Sequence, residues 1–178
     1  MNLINVPIIY QCNNSACGIA CVQSILGFYD NHIYQEELYN ELKFDKNEGT
    51  YIDNIINFFN KNNYECYHKV DTNINTIKNL IKNGIPVLTV FQAWNNKKNI
   101  NWRDEWNSGH YSIIIGIDDN NIYMMDPSIQ GNYGYIPIKD FISRWHDYDN
   151  KKKYKQWICA IYYKKPHSYK KDVIVRIK

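Results

Sequence analysis

Gln11-Cys12-Asn13-Asn14-Ser15-Ala16-Cys17-Gly18 runs directly into an apolar segment, Ile19 to Tyr29. A cysteine that opens a helix sits where the aligned backbone dipoles favour an anion, and for a thiol that anion is the nucleophilic thiolate. A glutamine six residues ahead of it offers a side-chain amide that can join the Cys17 backbone N–H on one oxyanion. Gly18 is expected to leave room above the sulfur for a substrate backbone. A base is needed as well, and Gly109-His110-Tyr111-Ser112-Ile113-Ile114-Ile115-Gly116 supplies one at the start of an apolar run. A base must be held rigidly yet be reachable, and the first residues of a core strand meet both demands. Asp126, before Pro127, can then accept a hydrogen bond from the far ring nitrogen of His110.

Whether Asp126 meets His110 depends on the register of the hairpin between them. Pairing Ile114 with Ile122 across a Gly116–Asn120 loop sets His110 directly opposite Asp126. A tighter turn at Asp119-Asn120-Asn121 slides Asp126 along the pleat. The remaining histidines have weaker settings: His32 in a polar turn, His68 on a strand flank, His146 at a helix end and His167 in a basic tail, all read as surface residues. Cys21 lies one turn beyond Cys17 and reads as core. Cys12, Cys17 and Cys21 are spaced x4 and x3, unlike the tight C-x2-C pairs of structural zinc, so no metal or other cofactor is expected.

The elements that must position these groups fall into two halves. Ile19, Val22, Ile25, Leu26 and Tyr29 recur at helical spacing, and Ala20 and Cys21 extend the apolar surface, so this helix is expected to be buried nearly all round, with Ser15 or Asn14 as its cap. A second helix covers Gln35 to Leu42. A third starts at Thr50, with Thr50 and Asp53 forming a capping box. Thereafter strands dominate: Tyr64 to Val70, Ile85 to Ala93, His110 to Ile117, Ile122 to Met125, Gly134 to Ile138, Gln156 to Tyr163 and Val173 to Ile177. Short helices are expected over Asn75 to Lys82 and Lys139 to Trp145. Helices first and a meandering antiparallel sheet second indicates an α+β domain.

A length of 178 residues suits a single domain spanning 1–178, with 44% hydrophobic and 22% charged residues typical of globular chains. Five cysteines without framework spacing favour reduced thiols and a cytoplasmic setting. No apolar run approaches the ~20 residues of a membrane span, and no signal peptide is visible, although secretion by a non-classical route stays open. A net charge of +3 is too small to argue for nucleic acid. Trp94 to Ser108, polar and carrying Trp94, Trp102 and Trp106, reads as an inserted loop, either a substrate-gripping lid or a segment packed on its own tryptophans. From about residue 150 the chain becomes a basic extension with Lys151-Lys152-Lys153-Tyr154-Lys155, a solvated face or a site for an anionic partner.

Gln11-x5-Cys17-Gly18, Gly109-His110-Tyr111-Ser112-Ile113-Ile114-Ile115-Gly116 and Asp126-Pro127-Ser128 resemble the C39 peptidases of the papain-like superfamily, over about Val6 to Ile138. That family includes the domains that clip double-glycine leader peptides from bacteriocin precursors on export transporters. The resemblance implies a papain-like fold with Cys17 as nucleophile, His110 as general base, Asp126 as orienter and Gln11 as oxyanion donor, acting on a peptide or protein. Ala16 departs from the acidic or amide residue often found before the nucleophile, and no membrane domain follows to support an exporter role. Two further readings stand beside a small-residue-preferring peptidase: deamidation or acyl transfer on a protein glutamine through the same thioester, and a peptide-binding module without activity.

Overall fold

The computed structural model describes residues 3–174, 176 and 177. Its centre is helix α1 (Cys17–Phe28), in which Gln23 alone is not buried. Two glycines let neighbours come close to it. A Cβ on Gly27 would lie 2.9 Å from the Pro7 ring, and one on Gly18 would lie 3.1 Å from Thr50 Cβ and 3.2 Å from the Tyr111 ring. Gly18 therefore faces protein, and the open space expected above the sulfur is taken by Thr50 and Tyr111.

Helices α2 (Gln35–Glu41) and α3 (Ile52–Lys61) follow, then β1 (Glu65–Lys69), α4 (Ile74–Lys82), β2 (Val87–Gln92), β3 (Gly109–Ile117), β4 (Asn121–Met125) and β5 (Gly134–Pro137). The chain continues through α5 (Ile138–Arg144), β6 (His146–Asp149), β7 (Lys152–Lys155) and β8 (Ile158–Tyr162). Six strands form one antiparallel sheet in the order β1-β8-β2-β3-β4-β5. Strand β3 is apolar and buried on both faces because helices cover both. Tyr111, Ile113 and Ile115 pack with α1 and α3, whereas Ile114 packs with Ile77 of α4 and with Phe141 and Trp145. The α+β architecture, with a buried first helix on an antiparallel sheet, is the one read from the sequence; the second helical layer completes it.

Several local expectations change. Ser15 does not cap α1: its hydroxyl donates to the Lys46 carbonyl, and the N-cap is Ala16, which has no polar side chain. Helix α3 starts after Tyr51, and the Ile52 amide is capped by Asp149 Oδ2 at 2.7 Å, 97 residues away. Thr50 Oγ1 is left buried without a partner among the described residues, while Asp53 pairs with Lys152 at 3.1 Å. The stretch 146–155, read as a helix end and a basic tail, is a two-stranded hairpin, with His146, Asp147 and Asp149 buried. Beyond residue 150 the chain still enters the sheet, where β8 is an interior strand between β1 and β2. Val175, inside the last expected strand, lies outside the described residues, and the described positions 173, 174, 176 and 177 are not in a strand.

Candidate active site

Cys17 is the first residue of α1 and is 9% exposed. With no side-chain cap, the Cys17, Gly18 and Ile19 amides have no hydrogen-bond partner among the described residues; the first bond of the helix runs from Ala20 N to Ala16 O. Three free N–H groups at the positive end of a buried helix form a place for a developing anion. Cys21, one turn on, is fully buried, and burial pushes its thiol well above the ordinary range. A competing nucleophile at Cys21 is thereby disfavoured.

His110 sits second in β3, 6% exposed, and its Nε2 lies 3.0 Å from Asp126 Oδ1 and 3.1 Å from Oδ2. The Cys17 side chain is the other group that acts on the ring. Burial alone depresses the ionisation of the imidazole, but the Asp126 and Cys17 side chains outweigh it and raise the pKa to about 9. Burial also works against ionising Asp126, yet hydrogen bonds from His110, Ser112 Oγ and the Ser128 amide hold its pKa below the usual carboxylate value. An anion and an imidazolium therefore stabilise one another beside the cysteine.

The hairpin does not adopt the register that sets His110 opposite Asp126. The turn is tight, with the Asp118 amide bonded to the Asn121 carbonyl, and a bulge at Ile115 shifts the pairing so that Ile113 faces Met125. One step further, Ser112 faces Asp126, and the carboxylate reaches His110 along the diagonal. Ser112 Oγ donates to Asp126 Oδ2 at 2.7 Å, and Trp94 Nε1 donates to the same oxygen at 3.4 Å. Neither residue stands among the candidates read from sequence. A lone hydroxyl at an inward position of an otherwise apolar strand is the signal that marks Ser112.

Gln11 is tied to the segment beyond Asp126: its amide nitrogen donates to Pro127 O at 3.0 Å and its Oε1 accepts from Ser128 Oγ at 3.1 Å. Its Nε2 donates to Asn13 O at 2.8 Å, so this amide bonds the loop before α1.

The Trp94–Ser108 loop does not pack on its own tryptophans. Trp102 lies 4.0 Å from the Arg144 guanidinium, Trp106 lies 4.3 Å from the ring of His146 and 4.9 Å from Lys153, and Trp94 meets His110 edge-on at 6.3 Å. Of the basic stretch, Lys152 pairs with Asp53 and Lys153 caps Trp106. His146, expected at the surface, is 8% exposed with Nε2 2.7 Å from Glu105 O. Beside Asp126 a cavity of about 310 Å³ is floored by Phe91, Met124 and Ile136 and edged by Trp94 and Arg144. A wider recess of about 650 Å³ lies elsewhere, around Lys78, Lys82 and Tyr169, and includes none of the candidate residues.

Solved structures with this fold include the peptidase domain of Streptococcus ComA, a bifunctional ABC transporter involved in quorum sensing, at 16% identity and a TM-score of 0.65, covering 90% of this chain and 99% of that one. A double glycine motif protease from an AMS/PCAT transporter, in complex with the leader peptide, aligns at 17% identity and 0.62 over 90% and 94% of the two chains. A protein from Bacillus anthracis bearing the name C39-like peptidase aligns at 17% and 0.65 over 90% and 97%. Among curated proteins, none matches this chain in sequence. No helix among the described residues is long and apolar enough to cross a membrane. The Peptidase_C39 like family matches residues 3–153, a span holding Gln11, Cys17, His110 and Asp126, and the chain belongs to that family.

Proposed function

We propose that the protein is a thiol-dependent peptidase in which Cys17, His110 and Asp126 act together. The observation that carries this reading is the buried imidazole bonded to Asp126 and favoured in its charged form by Asp126 and Cys17 together. In the proposed cycle the Cys17 thiolate attacks the scissile carbonyl carbon, and the carbonyl π electrons move onto oxygen. The uncapped amides of α1, joined by Gln11 Nε2 once it turns from Asn13, receive that oxyanion. Imidazolium gives its proton to the departing amine as the C–N bond breaks, leaving a thioester on Cys17. His110, now neutral, takes a proton from water as the hydroxide attacks, and the thiolate is released.

For the substrate, a peptide with small residues before the scissile bond draws support from the relative named as a double glycine motif protease and holding a leader peptide. Gly18 gives that preference no support, since it faces Tyr111 and Thr50. The apolar cavity beside Asp126 suits an aliphatic side chain of such a peptide. Incubating the protein with a peptide library and reading products by mass spectrometry tests the proposal. Wild type yields new termini and C17A yields none. A mass gain of one unit at glutamine without a new terminus would replace peptidase by deamidase, and identical product spectra for the two proteins would overturn the enzymatic reading.

A further inference from the structure

The Asp126 carboxylate is buried, and both of its oxygens stand almost equally far from His110 Nε2. A carboxylate so placed can swing about its Cβ–Cγ bond unless something other than histidine stops it. Each oxygen is held from a different direction. Oδ1 accepts the Ser128 amide at 2.8 Å, and Oδ2 accepts the Ser112 hydroxyl at 2.7 Å. The Trp94 indole adds a longer contact to Oδ2, at 3.4 Å, from a side chain that is 59% exposed. Among the described residues Ser112 is thus, besides His110 itself, the one short and buried side-chain donor on Oδ2, and its own exposure is 0%.

Its position follows from the bulge at Ile115. Carried one step past the Ile113–Met125 pair, the shifted register sets residue 112, where an unbulged strand would set residue 113, opposite Asp126, with Thr89 of β2 on the other side. An apolar residue there would press a methyl group on a buried carboxylate oxygen and leave it a donor short. A hydroxyl fills the gap and supplies the donor.

We infer that Ser112 is a positioning residue for the catalytic pair: it fixes the plane of the Asp126 carboxylate and so fixes the orientation of the His110 ring bonded to it. The inference rests on the peptidase reading above. It touches no substrate, so its removal should lower kcat and leave KM alone. The titratable groups facing His110 are Cys17 from α1 and Asp126 after β4, and Ser112 acts on the second of these.

The test uses the full chain and needs no peptide. Iodoacetamide alkylation of Cys17, followed by mass spectrometry across pH, reports the state of His110 through the reactivity of the neighbouring sulfur. Wild type should show a step near pH 9, where the imidazolium loses its proton. S112A should move that step down by about one pH unit and lower the plateau below it by about tenfold, the size expected for one hydrogen bond to a charged group. S112T keeps the hydroxyl and should restore the step. A step unmoved in S112A, with only the melting temperature lowered, would show that Ser112 merely packs and overturn the inference. If wild-type Cys17 alkylates no faster than Cys12 or Cys66, the peptidase reading fails, and a step that still moves in S112A keeps the inference standing for the His110–Asp126 pair.

Discussion

At the scale of single residues, His110 is under opposed influences: burial disfavours its charge, and Asp126 and Cys17 favour it. The balance lies above the ordinary histidine value of 6.5, at about 9. The stability this group contributes is therefore fully present below pH 6.5 and is lost as pH rises through about 9. Catalysis that uses imidazolium should share that alkaline limit. D126N keeps a hydrogen-bond acceptor for Nε2 but removes the negative charge. The alkaline limb of kcat/KM should then fall by more than one unit, and the rate at pH 7.5 by roughly 100-fold or more, less than the loss of about 10⁴ seen when a triad aspartate also sets the tautomer. A pH–rate profile of the variant checks both. The residue types and their order are readable because the chemical task proposed for each belongs at a recognisable place: a cysteine opening an apolar helix, a Gly-His pair opening an apolar strand and an aspartate ending the next. The hydroxyl of Ser112 carries little signal because its value depends on a bulge, and Ile115 differs in nothing from Ile113 and Ile114 before it.

At the scale of elements, the β6–β7 hairpin anchors what precedes His110. Gln92 Nε2 donates to His146 O at 3.0 Å and to Asp147 Oδ1 at 2.9 Å, and its Oε1 takes the Ser108 amide at 2.8 Å. Asp147 is buried against Gly109, and burial raises its pKa from 3.8 to about 7, with the Asp149 charge adding to the rise and the Gln92 bond opposing it. The sign is opposite to that of a salt-bridged carboxylate. Between about pH 4 and 7 the unfolded chain gives up this proton and the folded one keeps it, so stability falls as pH rises and levels off above 7. D147N should remove that fall and raise Tm at pH 7.5 by roughly 3 °C, read by calorimetry from pH 4 to 8. This hairpin escaped the sequence reading because His-Asp-Tyr-Asp and Lys-Lys-Tyr-Lys carry no apolar alternation. Its inward groups are carboxylates whose partners, the Ile52 amide and Gln92, lie 97 and 55 residues away. Capping boxes are searched within one turn, and a cap delivered from another element leaves no local trace.

At the scale of the whole molecule, the sheet order β1-β8-β2-β3-β4-β5 places β8 between two strands that precede it by a long stretch of chain. Glu65 pairs with Tyr162 and Val87 with Ala160, so the sheet is joined by contacts of high sequence separation. The alternating helices and strands were legible in composition and period. Their spatial order was not, because the apolar Ile158 to Tyr162 reads alike at an edge or a centre. Assembly in time follows from this arrangement. The His110–Asp126 contact belongs to a local hairpin and is expected to form early, whereas α1, which packs in one core with residues of β8, is expected to bring Cys17 to it later. In refolding from denaturant, strand signal should therefore precede the fast alkylation of Cys17, which should rise with the slowest phase. If Cys17 is the nucleophile proposed above, it is the last part of the site to be armed, and a half-folded copy would be spared from cutting its neighbours.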